Sequence, residues 1–134
     1  MDEKIQEMPK CIALVVCNEV IEDKQTNNKS LISIFNRIMV NGLPAIQPKM
    51  YIMASLTGAK GEWNTTFEII GPKGQVIFSA DGKLGLNDPM SVIDIVIQII
   101  NLPLQENGAY TARIICEKGR LLNNRRFVVE RMKT

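Results

Sequence analysis

The chain of 134 residues contains no histidine. That absence removes the base of Ser-His-Asp and Cys-His sites and the imidazole ligands common in metal centres. The residue types left for chemistry are carboxylates, thiols and arginines. Glu19, Glu22 and Asp23 cluster after the first apolar run, and Asp81 and Asp88 share a later polar stretch. Loop carboxylates can hold calcium, but the ion needs about six to eight oxygens. No dense Asp/Asn/Gly loop surrounds them, so a solvated loop with no metal and no cofactor is expected. Cys11, Cys17 and Cys116 form an odd set. On one extended strand the Cα atoms of Cys11 and Cys17 would lie about 20 Å apart, beyond the reach of a disulfide. All three read as reduced core residues of a cytoplasmic protein. No P-loop and no G-x-G-x-x-G between a strand and a helix is present.

The net charge is only +2, but from Arg113 onward seven bases face two acids. Arg113, Arg125 and Arg126 are the candidate anion-binding residues of that segment. The favoured reading is a solvated hairpin whose charged edges resist aggregation. Aromatic residues make up 5%, and Trp63, Phe67, Phe78 and Tyr110 fall at inward positions. No stacking platform is left for nucleic acid, which is not an expected partner. No apolar run approaches the roughly 18 residues of a membrane-spanning helix. Residues 1–9 carry three acids and no apolar centre, so a short flexible N-terminus is expected rather than a signal peptide.

Elements that could position these groups come next. Cys11 to Cys17 and Leu31 to Val40 are apolar runs suited to covered strands, with polar turn chemistry from Glu19 to Lys29. Asn41 to Pro48 reads as a bend, and Lys49 to Thr57 as a third strand. Glu62 to Ile70 alternates: Trp63, Thr65, Phe67 and Ile69 share one face. Gly71-Pro72-Lys73-Gly74 turns the chain into Gln75 to Ala80, and Asp81 to Met90 reads as a loop. Ser91 to Ile100 puts Ile93, Ile95, Ile97 and Ile99 on one face, and Asn101 to Asn107 reads as a loop. Gly108 to Glu117 and Arg120 to Glu130 close the chain as a hairpin, with a bulge near Asn123–Arg126. Spacing and β-branched content indicate an all-β fold in one domain, 1–134. The architecture expected is a two-sheet antiparallel β-sandwich of about eight strands, immunoglobulin-like or jelly-roll.

The stretch from Cys17 to Ile38, with Leu43-Pro44, Met50-Tyr51-Ile52 and Gly108-Ala109-Tyr110, resembles a family of small uncharacterised bacterial β-sandwich proteins, a domain of unknown function. In that family the loop after the first strand reads Asp-x-x-Thr-Gly-Lys-x-Ser-Leu. Here Asn27-Asn28 stands where glycine is expected, and asparagine tolerates the left-handed conformation. The closing stretch from Gly108 to Glu130 is also similar to the last hairpin of many immunoglobulin-like domains. The resemblance implies a fold and carries over no active site.

The leading expectation is therefore a non-catalytic cytoplasmic binding or protein-interaction module, a homodimer or bound to an unidentified protein partner. The alternatives are a carbohydrate- or small-ligand-binding sandwich and an enzyme working through loop carboxylates. With the isoleucine face turned inward, Val92, Val96 and Ile100 remain outside as an apolar patch, which a loop at Asn101–Asn107 or a second copy would cover. The fold reading predicts a far-UV circular dichroism spectrum with under about a tenth helix, well below the usual third. Dominant minima at about 208 and 222 nm would contradict the all-β assignment.

Overall fold

The computed structural model describes residues 8–133. Its strands are β1 (Lys10–Glu22), β2 (Lys29–Ile34), β3 (Arg37–Val40), β4 (Ala45–Thr57), β5 (Gly61–Ile70), β6 (Val76–Leu86), β7 (Val92–Leu104), β8 (Gly108–Cys116) and β9 (Arg120–Arg131). Nine strands thus stand where about eight were read. Among the described residues the only helical piece is a 3-10 turn at Glu117–Gly119. The strands form a four-stranded sheet, β2-β1-β4-β7, packed on a five-stranded sheet, β3-β9-β8-β5-β6.

Alternation decides which side chains meet between the sheets. Trp63, Phe67 and Ile69 of β5 are buried with Tyr110, Ala112 and Ile114 of β8 and Phe127 and Val129 of β9. Facing them are Leu14 and Val16 of β1, Met50, Ile52, Ala54 and Leu56 of β4, and Ile99 of β7. Ile93, Ile95 and Ile97 pack against this core but remain half-buried. Phe127 stacks on Tyr110 at 5.6 Å and meets Phe35 edge-on at 5.7 Å, arrangements that suit aromatic quadrupoles.

Two details choose between the candidate topologies. The order β9-β8-β5-β6 reproduces the G-F-C-C′ order of an immunoglobulin-type sheet. At the start of β8, the Tyr110 hydroxyl donates to the Glu106 carbonyl at 2.6 Å. A tyrosine there, tied back to the chain just upstream, is the tyrosine corner of such domains, and a buried tryptophan on the third of their strands is matched by Trp63 on β5. The fold is an immunoglobulin-like β-sandwich rather than a jelly roll.

The structure corrects several boundaries. Leu31–Val40 is not one core strand. It splits at Phe35-Asn36, where the chain crosses between sheets, and β2 is largely exposed. Having crossed, β3 runs parallel to β9, so the sandwich is not wholly antiparallel. β1 continues through Glu22, shortening the polar connector to 23–28. A bulge between Cys11 and Ala13 throws Ile12 outward, so that run is not covered on both sides. β4 begins at Ala45, after the cis Leu43-Pro44 bond, so 45–48 is strand rather than bend. Asp81–Leu86 is strand, because Leu84 and Leu86 continue the inward alternation of β6. Asn101–Leu104 is strand for the same reason: Leu102 and Leu104 are buried, and Asn101 takes up the change of phase with φ 54°. Of residues 1–9, the first seven lie outside the described residues, while Met8 packs on the core and Pro9 is buried. The β8–β9 register shifts opposite Ile114/Ile115, beside the anticipated bulge. Asn27 adopts φ 63°, the left-handed turn its position called for.

Phe67 is 2% exposed at the centre of this core. Phe67→Ala is expected to cost about 3–5 kcal/mol in chemical denaturation. A loss below about 1 kcal/mol would show that the face is assigned wrongly.

Candidate functional site

The carboxylates after β1 do not converge. Glu19 accepts from the Lys49 ammonium at 3.1 Å, and Glu22 pairs with Lys29 at 3.4 Å. Asp23 caps its own turn, accepting from the backbone N–H of Gln25 at 2.8 Å and of Thr26 at 3.2 Å. Hydrogen bonding from Lys49 and then Tyr51 holds the Glu19 carboxyl below the usual range, and Glu19 in turn raises Lys49. Among the described residues no group of three or more His, Cys, Asp or Glu side chains is placed to hold a metal.

The arginines are divided by strand parity. Arg113 lies on the outer face of the five-stranded sheet and closes on Glu68 at 2.7 Å. Arg126 is exposed on the same face, beside Thr111. Arg125 follows the bulge in phase with Phe127 and Val129, so it points between the sheets. There its guanidinium donates to the Asn36 side chain at 2.9 Å, and its buried Nε has no partner. A single anion-binding face built from all three is therefore not formed. The three thiols are free. Burial pushes Cys11, Cys17 and Cys116 above the ordinary thiol range, away from nucleophilic reactivity.

What the fold does assemble is a face. On the outside of the four-stranded sheet, register brings Ile32 and Ile34 of β2, Val15 of β1, Tyr51 and Met53 of β4, and Val92, Val96 and Ile100 of β7 to one surface. Ile34, Val92 and Ile100 are 50%, 56% and 55% exposed. No loop at Asn101–Asn107 covers them, since that segment continues β7 to Leu104. The polar groups on this face bond to one another. Ser55 donates to Asp94 at 2.5 Å, Gln98 donates to the Tyr51 hydroxyl at 2.8 Å, and Lys49 lies 5.9 Å from the Tyr51 ring centre. The outside of the five-stranded sheet is more polar, with Thr66–Asp81, Glu68–Arg113 and Arg37–Glu130 contacts, while Met39 and Leu121 are exposed toward its edge and end. Sequence reading found the β7 part of the apolar face. It missed Ile32, Ile34 and Met53, because a continuous apolar run does not show which residues point outward.

A family described as "Family of unknown function (DUF6941)" matches residues 12–130. The chain belongs to this family. No curated protein matches this DUF6941 chain. Among solved structures it is similar to the Pseudomonas fluorescens alkylpurine DNA glycosylase AlkC bound to DNA containing an abasic site analog. The TM-score is 0.55 at 10% identity, over 90% of this chain and 30% of that one. The chain thus spans under a third of that glycosylase, and the likeness is one of fold. It also matches the C-terminal domain of wzt (TM-score 0.47, 10% identity, 94% of this chain and 74% of that one). An immunoglobulin-like protein from Pseudomonas aeruginosa matches with TM-score 0.39 and 13% identity, over 94% of this chain and 99% of that one. At these two scores the likeness carries no argument. No helix among the described residues is long and apolar enough to cross a membrane.

The thiol shifts have a consequence for stability. Burial also raises the Tyr110 hydroxyl. These groups keep their protons in the fold at a pH where the unfolded chain releases them, so their contribution is full below the unfolded values and is lost as pH rises. The urea midpoint is expected to hold from pH 6 to 8 and to fall above about pH 9. A midpoint that rises between about pH 9 and 10 would contradict the burial of these groups.

Proposed function

We propose that the chain is a non-catalytic cytoplasmic module that works by surface association, and that the outer face of β2-β1-β4-β7 is its contact surface, occupied by a second copy of the chain. The observation that carries this reading is the contrast between the two outer faces. A sandwich normally turns polar residues to water on both sides, and here the four-stranded side sets exposed Ile32, Ile34, Val92 and Ile100 among its polar groups. Exposed apolar side chains gathered on one face often mark an interaction site.

Three features favour a second copy. The area suffices: three strands of 13 residues and one of 6, about 4.8 Å apart and at about 3.4 Å per residue, span roughly 700 Å², close to one side of a standard interface. The charge is compatible, because each face carries Glu19 paired with Lys49, and Asp94 accepts a hydrogen bond from Ser55. The hydrogen bonds are already made: Gln98–Tyr51 and Ser55–Asp94 leave few unsatisfied groups when water is removed. Two-fold dimers bring the same patch together on both subunits. The cytoplasmic assignment is supported by three free thiols.

Size-exclusion chromatography with light scattering at micromolar concentration tests this. A dimer mass is expected for the wild type. Val96→Lys places a charge at the centre of the patch and is expected to give a monomer with an unchanged circular dichroism spectrum. A wild-type protein of monomer mass overturns the proposal.

A further inference from the structure

β6 and β7 are the strand edges on one side of the sandwich, each ending its own sheet. Between them lies a slot of about 180 Å³. Its origin is legible in the register. The inward positions of β6 are Phe78, Ala80, Gly82, Leu84 and Leu86, facing the side of Ile69, Phe67, Thr65 and Trp63. Leucines fill the space at one end and phenylalanine at the other, while Ala80 and Gly82 supply almost no bulk between them. A Cβ built on Gly82 would meet no atom within 4 Å. Across the gap, Ile93, Ile95 and Ile97 stay half-buried, whereas Ile99 farther along the same face is 1% exposed. Thr65 turns its hydroxyl toward the Gly82 carbonyl at 3.3 Å. Asp81 and Lys83 flank Gly82 and point to the outer side, where Asp81 is held by the Thr66 hydroxyl at 2.8 Å.

We infer that this slot is a binding site for a neutral, apolar group of about six carbons, the end of a small hydrophobic ligand. Size sets the first limit, since a cavity of roughly 150 Å³ lined by Leu, Ile and Phe takes up benzene. The lining sets the second: three isoleucines, Leu84 and Phe67 offer contact area and one hydroxyl. Charge sets the third. The rim carries one negative and one positive group side by side, so neither an acid nor an amine gains net attraction there. The site uses the inner face of β7, whereas the proposed dimer uses the outer face, so the two stand or fall separately.

The test is a titration of isoleucine-methyl-labelled protein with hexanol, hexanoate and hexylamine, read by NMR. Hexanol is expected to shift the Ile93, Ile95 and Ile97 methyl signals and to saturate in the millimolar range, as burial of about five methylene groups implies. The signals of Ile52 and Ile114, both fully buried elsewhere in the core, should stay in place. Gly82→Val fills the slot and is expected to abolish the shifts while leaving the oligomeric state unchanged. Ala80→Val, on the same wall, serves if that variant does not fold. Hexanoate or hexylamine binding at least as tightly as hexanol would overturn the neutral assignment. Absence of saturable shifts, or shifts that survive in the filled variants, would overturn the site. Saturable binding of an extended peptide at the seam without any response to hexanol would do the same.

Discussion

The β4–β7 ladder is the constraint on which the rest of the molecule depends. It pairs Ala45 with Leu104 at one end and Thr57 with Val92 at the other, the longest run of pairing in the four-stranded sheet. Strand geometry sends successive residues to opposite faces, so every side chain here is committed either to the core or to the outside. Met50, Ile52, Ala54 and Leu56 take the core, with Ile99 beside them. Tyr51, Met53, Val96 and Ile100 are then forced outward by the same register. Slipping one strand by a residue would turn Asp94 and Gln98, or Lys49 and Ser55, toward the core. The register is also held by particulars: the Ser55–Asp94 and Gln98–Tyr51 bonds on the outside, and the tight packing of the inside against the second sheet.

That second sheet fixes the inside. The Tyr110 hydroxyl bonded to Glu106 ties the turn before β8 to its first residues, and the Tyr110–Phe127–Phe35 cluster links β8, β9 and the crossing between β2 and β3. The crossing is what lets β1 and β2 sit in one sheet while β3 edges the other. It also explains why Arg125 reaches inward: one bulge in β9 changes the phase of every residue after it. The same local event that completes the core with Phe127 and Val129 therefore turns Arg125 inward and leaves its neighbour Arg126 on the face of Arg113.

Much of this was legible in the sequence. The alternation of Trp63, Thr65, Phe67 and Ile69 and the isoleucine face of β7 each specify a strand and its orientation. The left-handed Asn27 follows from the family resemblance, which sets Asn27-Asn28 where glycine is expected. What was not legible follows from a shared physical cause. Gly82 and Gly85 read as loop residues because glycine is depleted in strands, yet Leu84 and Leu86 carry the alternation through them. Leu31–Val40 read as one strand because a continuous apolar run holds no record of where the chain changes sheets. The outer apolar face needed four strands to be set side by side, which is long-range information. The edge slot needed the separation of β6 and β7 in space, which composition does not encode.

The proposed contact surface is the outer face of the four-stranded sheet, and the outer face of the five-stranded sheet stays in water. Photochemical carbene footprinting across a dilution series measures this directly. The account predicts that labelling of Met53, Val96 and Ile100 falls as concentration rises from nanomolar to high micromolar. Met90, 87% exposed in the loop between β6 and β7, and the Thr66 and Arg126 region of the other sheet should label alike throughout. Labelling of Met53, Val96 and Ile100 that stays constant over that range, or protection confined to the polar sheet, would contradict it.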